Sequence, residues 1–274
     1  MMRRTTAVAL ARHAVLILGA LLVVGPFLWM LTTALQTRAE NYTNASLLPT
    51  SWHWENFVHA WQAAPFGRYY LNSLVMTAGI VCGHLVLDAL AAYAFARLRF
   101  PFKNTIFVLL LAALIVPTFV TVIPAYSLTA SLGWIDSYAG LIVPRLADVF
   151  GVILLRQFFS TIPVELEEAA RIDGCSRVGT FLRIIVPLSR PAFATLAIFS
   201  FLFAWNDFLW PLLVTNSDEL RTIQIGLSAF QGRYGTSWNY LMAGTLTATI
   251  PSILVFLIFQ RALVRGIAMT GLKD

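Results

Sequence analysis

HAVLILGALLVVGPFLWMLTTAL, residues 13–35, runs for 23 positions without an Asp, Glu, Lys or Arg. As a helix it is long enough to cross about 30 Å of hydrocarbon, which takes about 20 residues. Arg3, Arg4 and Arg12 precede it, as they would in a secretory leader. The run is too long for the roughly 7–15 apolar residues of a cleaved signal, and no small-x-small exit follows, so it reads as an uncleaved first span. Five further stretches of the same kind lie at 70–95, 105–126, 138–159, 191–214 and 241–261. None alternates apolar and polar residues as a strand would. An unpaired backbone group in lipid costs several kcal/mol, so helices are the expected solution. The fold class is therefore all-α, a polytopic membrane protein with six transmembrane helices.

Composition agrees. The chain is 58% hydrophobic and 12% charged, with a mean hydropathy of +0.75. A soluble domain carries about 25% charged residues. The net charge is +6, which in a soluble protein raises the question of nucleic acid. Here the basic residues sit between apolar runs, where an anionic membrane lipid surface suits them better, and no nucleic-acid partner is expected. With the N-terminus inside, fourteen Lys and Arg residues fall on inner segments and four, Arg38, Arg68, Arg221 and Arg233, on outer ones. That bias puts both termini in the cytoplasm. The expected organisation is a cytoplasmic N-terminus at 1–12, a transmembrane domain at 13–262 and a cytoplasmic tail at 263–274. Trp52, Trp54, Trp61, Trp134, Trp205, Trp210 and Trp238 fall outside the spans or near their outer ends.

The inner loop at 160–190 is long and patterned. Thr161-Ile162-Pro163 reads as a helix start, and Glu165, Glu167 and Glu168 suit its N-terminus. Glu167 and Arg171 have the i,i+4 spacing of a helical ion pair. Asp173-Gly174 reads as the end of that helix, with glycine in the left-handed position. A second helix follows from about Ser176, with Val178, Phe181, Leu182 and Ile185 on its apolar side, and Pro187 is expected to stop it. Two roles suit such a hairpin: a helix that docks into a partner's groove, or one resting on lipid headgroups.

Glu168-Ala169-Ala170, three residues, Gly174, nine residues and Ile184-Ile185-Val186-Pro187 resemble the EAA signature of ABC importer permeases. The family usually has leucine where Val186 stands. Leu90-Ala-Ala-Tyr-Ala-Phe-Ala-Arg97, Trp205-Asn-Asp-Phe-Leu-Trp-Pro211 and the tail at 260–273 are also similar to it, so the likeness covers the chain from about Tyr70 onward. It is closest to the carbohydrate-uptake group, in particular the maltose-permease partner subunit, with glycerol-phosphate permeases as near neighbours.

The resemblance implies a type I importer permease in a bacterial or archaeal inner membrane. It implies three kinds of partner: a second permease subunit, two ABC ATPase subunits and an extracytoplasmic solute-binding protein. It assigns the ATPase-coupling role to Glu168, Ala169, Ala170, Asp173, Gly174 and Pro187. It implies no cofactor on this chain, with ATP and magnesium held by the ATPase. The residues agree: Lys103 and Lys273 are followed by Asn104 and Asp274, so no Gly-Lys-Ser/Thr phosphate loop exists. The solute is expected to be a sugar, an oligosaccharide or a sugar derivative, with glycerol phosphates and phosphodiesters as the alternative.

Charged and amide groups inside spans face the bundle or a wet path, because lipid rejects them. Arg145, Asp148, Trp205, Asn206 and Asp207 are the candidates for a substrate path. Arg145 and Asp148, three apart, also suit a mutual ion pair, and Asn206-Asp207 between tryptophans equally suit an interfacial belt. Asp88 reads as structural. Gly79 and Gly83 make a GxxxG spacing that suits a helix-pairing surface. His13, His53, His59 and His84 show no ligand spacing, and no metal site or catalytic set is expected. An ion-gradient transporter would use Asp88, Asp148 and Asp207, but it would not need the patterned loop.

Overall fold

The computed structural model describes residues 2–43, 48–232 and 235–271, with side chains described from residue 12 to residue 260. Arg233 and the residues from 272 on, Lys273 among them, lie outside the described residues. In chain order the helices are α1 (Met2–Ala34), α2 (Arg38–Thr43), α3 (Glu55–Gln62), α4 (Phe66–Arg97), α5 (Lys103–Ala113) and α6 (Thr118–Ser131). They continue with α7 (Tyr138–Arg145), α8 (Val149–Thr161), α9 (Glu165–Ile172), α10 (Arg177–Leu188), α11 (Arg190–Trp205) and α12 (Leu209–Val214). Then come α13 (Ile223–Ser228), an antiparallel pair of two-residue strands (Gln231–Gly232 and Gly235–Thr236) and α14 (Trp238–Gly271).

The chain divides into two compact units. One comprises Met1–Gly67 and Gly226–Ile250, the other Arg68–Ile225 and Pro251–Asp274. In the first, α1 leaves its apolar side chains from Val15 to Leu22 exposed, as a helix facing lipid does. Its C-terminal end is held: Asn56 donates from Nδ2 to the carbonyls of Ala34 and Gln36, both at 2.9 Å. Thr37 and Glu40 cap α2 reciprocally. The Glu40 N–H donates to Thr37 Oγ1 at 3.2 Å and the Thr37 N–H to Glu40 Oε2 at 2.7 Å. Phe66 and Phe230 stack with ring centroids 5.5 Å apart.

The second unit holds two apolar clusters. One, around Ala92, Phe95, Leu155, Phe159, Phe181, Ile185 and Leu196, joins α4, α8, α10 and α11. The other, around Met76, Ile80, Leu141, Trp210 and Val214, joins α4, α7 and α12.

Three helices, α1, α4 and α14, cross-qualify on length and hydropathy without interruption. The other three expected spans are broken. α5 and α6 meet at 100°, α7 and α8 at 43°, and the expected fifth span is interrupted at 206–208 between α11 and α12. The first break falls where Pro117 lacks an N–H and disfavours a helical Val116. A single straight helix over 105–126 is thus replaced by two short rods. The GxxxG spacing marks a close approach inside this chain rather than a surface for another. A Cβ on Gly79 would come within 2.9 Å of Ile142, and one on Gly83 within 2.6 Å of the Leu146 carbonyl.

Candidate functional site

The loop after α8 folds as two helices locked by their ends. Ile162 is extended, and Pro163 follows at a position where a helix start needs no N–H donor. α9 carries Glu165, Glu167 and Glu168 in its first turn, against the positive end of its dipole. Gly174 takes φ +81°. The Cys175 N–H reaches back to the Ala170 carbonyl at 2.8 Å and the Gly174 N–H to that of Arg171 at 3.0 Å, which together form a Schellman cap. Ser176 then caps α10, accepting from the Gly179 N–H at 3.1 Å.

The two acids in the middle of α9 face opposite ways. Glu168 and Ala169 are exposed, while Glu167 and Ala170 are buried. Glu167 pairs with Arg97 at 2.7 Å rather than with Arg171. The expected i,i+4 pair gives way because burial beside a guanidinium from α4 outweighs a solvated contact along the helix. Tyr93 donates to Glu167 Oε2 at 3.3 Å. Of the four apolar residues expected on the apolar side of α10, Phe181 and Ile185 enter the core, and Val178 and Leu182 are exposed. Ile172, on α9, is 86% exposed.

Pro187 does not stop α10. A π turn at Phe181–Ile185 starts a fresh α turn at Val186, and Pro187 sits in that first turn, where no donor is required. The helix ends at Ser189, and the chain bends by 79° into α11.

Between the spans, π-turn residues of α4 satisfy the broken backbone of the fourth span. Asp88 is fully buried and accepts from the Asp148 N–H at 2.9 Å. His84 contacts the Arg145 carbonyl at 2.9 Å and Ser200 Oγ at 2.7 Å. Asp88 thereby satisfies a backbone donor at the start of α8. Gly151 is required opposite it, since a Cβ there would collide with the carboxylate.

Arg145 turns away from Asp148 and pairs with Asp207 at 3.5 Å, its guanidinium 5.5 Å from the Trp210 ring centroid and 5.6 Å from that of Phe203. The pair joins the break in the fourth span to the break in the fifth. Asp207 also accepts from the Trp210 N–H at 3.3 Å, starting α12.

Trp205 and Trp210 pack in the core, whereas Trp52, Trp54, Trp61 and Trp238 are exposed. Trp205 is 1% exposed, stacked on Phe201 at 5.7 Å and edge-on to Tyr70 at 5.3 Å. Trp210 is buried and donates to the Gly140 carbonyl at 3.0 Å. Asn206 is exposed and bonds its own helix at Leu202. Arg145, Asn206 and Asp207 thus lie together at the breaks, whereas Trp205 packs behind them. Among the described residues no cluster of His, Cys, Asp or Glu could hold a metal.

Sequence reasoning passed over His84 and Arg97 as functional groups. The signal for Arg97 was its place at the inner end of an apolar helix, where a cation is ordinarily read as a topology marker.

Residues 73–269 match the family described as the binding-protein-dependent transport system inner membrane component. The chain is 36% identical over 264 residues to the sn-glycerol-3-phosphate transport system permease protein UgpE of Yersinia enterocolitica, covering 93% of this chain and 94% of that protein. It is 37% identical over 260 residues to the probable ABC transporter permease protein YurM of Bacillus subtilis, covering 94% and 86%. Its fold superposes on the crystal structure of a bacterial ABC transporter involved in the import of the acidic polysaccharide alginate. The TM-score is 0.82 at 20% identity, over 95% of this chain and 98% of that one. The extent of these matches removes the ion-gradient reading: the chain belongs to the binding-protein-dependent ABC importer permeases, as a multi-pass inner-membrane subunit that leaves ATP hydrolysis to another chain.

Proposed function

We propose that this permease forms half of a translocation path for a sugar, an oligosaccharide or a sugar derivative. It pairs with a second permease subunit, takes solute from an extracytoplasmic binding protein and docks two ATPase subunits that hold ATP and magnesium. Both termini and the 160–190 loop face the cytoplasm. The observation that carries this reading is the outer face of the hairpin. Glu168 and Ala169 are exposed on α9, and Ile172 of α9 and Val178 and Leu182 of α10 are exposed apolar side chains of the same hairpin. Such a face, held rigid by the Gly174 cap, suits insertion into a groove of the ATPase. Asp173, Gly174 and Pro187 shape the hairpin, and Ala169 and Ala170 permit close approach.

On the solute side, Arg145, Asn206 and Asp207 are the proposed path residues, with Asp148 at the same break. Arg145 is already neutralised by Asp207. That favours an uncharged, hydroxyl-rich solute over a phosphate. A glycerol phosphate is the second reading, on the name of the Yersinia relative.

The test uses membrane vesicles containing the whole importer. Glu168→Ala and Gly174→Val should insert normally yet lower ATP-dependent uptake about tenfold or more, since coupling between sites is worth about 5–150-fold. Normal uptake by both variants would refute the loop's role. Competition of labelled uptake by neutral oligosaccharide, and not by glycerol 3-phosphate, supports the first solute class; the reverse supports the second.

A further inference from the structure

Arg97 is the last residue of α4, and its guanidinium touches three separate elements. Its Nη2 donates to the Phe159 carbonyl at 2.6 Å, in the last turn of α8, and also to the Ile162 carbonyl just beyond it. Its Nε lies 2.7 Å from Glu167 Oε1 on α9. Glu167 is 1% exposed. Tyr93, one turn earlier on the same face of α4, reaches the other carboxylate oxygen at 3.3 Å. The Tyr93 ring lies 5.0 Å from Phe181 of α10. The Phe159 carbonyl, which also accepts from the Ile162 N–H at 3.2 Å, and the Ile162 carbonyl are thus taken up by the same cation that anchors the loop.

A buried ion pair is poor evidence for stability, because apolar residues of similar volume fill such a site at less desolvation cost. What it adds is direction. An apolar contact resists compression, whereas a buried ion pair with its charges 2.7 Å apart also resists being drawn apart. Between α8 and α9 the chain has only the non-helical joint at 162–164. A pull on α9 without this clasp would be absorbed at that joint.

We infer that Glu167, seated on Arg97 and Tyr93, is the positioning residue through which movement of the docked loop is passed to the second and fourth spans. The inference rests on the reading that the loop docks on the ATPase, and it assigns Glu167 a role distinct from that of Glu168. Glu168 faces the partner, and Glu167 holds the bundle.

The experiment compares four variants of the full importer, purified from membranes and reconstituted: Glu167→Gln, Arg97→Lys, Tyr93→Phe and Ile172→Glu. Two quantities are read, the amount of ATPase subunit that co-purifies and the solute transported per ATP hydrolysed. Glu167→Gln keeps the shape of the side chain without its charge, and Arg97→Lys keeps the charge without the fork. Both should retain wild-type amounts of ATPase while transport per ATP falls about tenfold. Tyr93→Phe keeps the ring and should fall by about two- to fivefold. Ile172→Glu should lose the ATPase itself.

Unchanged transport per ATP in Glu167→Gln and Tyr93→Phe overturns the inference. So does a loss of co-purified ATPase in step with transport, because Glu167 would then only hold the shape of the loop. Should Glu167→Gln fail to reach the membrane, Tyr93→Phe alone decides, on the same ratio. Retention of ATPase by Ile172→Glu would instead refute the docking reading and leave the clasp to be judged by the other three.

Discussion

At Glu40 one carboxylate closes two pieces of chain. Its Oε1 accepts from the hydroxyl and N–H of Thr50, and its Oε2 from the hydroxyl and N–H of Thr37. The Thr50 hydroxyl, followed by the Thr37 and Thr50 N–H groups, pulls its carboxyl from the ordinary 4.5 down to about 2. A folded-state value below the unfolded one means that the carboxylate stabilises the segment around α2 above about pH 4.5. That contribution is lost as pH falls from there toward 2. Proteolysis of residues 36–62 in the purified protein should therefore rise across that window. In Glu40→Gln it should be faster at pH 7 and flat across the same range. The Thr37-x-x-Glu40 capping pattern is readable in the sequence, but the contribution of Thr50 is not, because it lies ten residues away across a turn. Glu167 and Glu168 repeat the lesson more sharply. Adjacent in the chain and identical in type, they differ because helical geometry turns one inward onto a cation 70 residues earlier. Local spacing could propose only Arg171.

The helical elements sort by what interrupts them. α1, α4 and α14 correspond to apolar runs with no break, and their extents were legible from hydropathy alone. The loop helices were legible as well, because Pro163, Gly174 and Ser176 act within one or two residues of themselves. The breaks at 114–117, 146–148 and 206–208 were not. The first runs through apolar residues up to Pro117, and in the fourth span the broken backbone is satisfied by His84 and Asp88, 61 and 60 residues away from their partners. The same distance hid the pairing of Arg145 with Asp207. This pair joins two breaks in a low-dielectric region, so its members should not behave independently. In a cycle of Arg145→Met, Asp207→Asn and the double variant, each single change should destabilise the detergent-purified protein by about 2–3 kcal/mol, because it strands a partly buried charge. The double change should recover about 1–2 kcal/mol of the sum. Thermal unfolding reads the outcome, and strict additivity would show that the two breaks are not coupled.

For the whole molecule, the proposed orientation puts fourteen cations on the inner side of the expected spans and four on the outer. On the proposed reading, a permease without its own phosphate loop meets an ATPase on the side where those cations lie. The hairpin face is the only contact the account assigns to that meeting. A benzophenone photocrosslinker placed at Ile172, 86% exposed on the hairpin, tests it directly in native membranes. A crosslinked product between this chain and the ATPase subunit is expected, with a yield that changes on addition of a non-hydrolysable ATP analogue. Crosslinking to lipid alone, or labelling of position 172 by a membrane-impermeant reagent from the outer side, would contradict it.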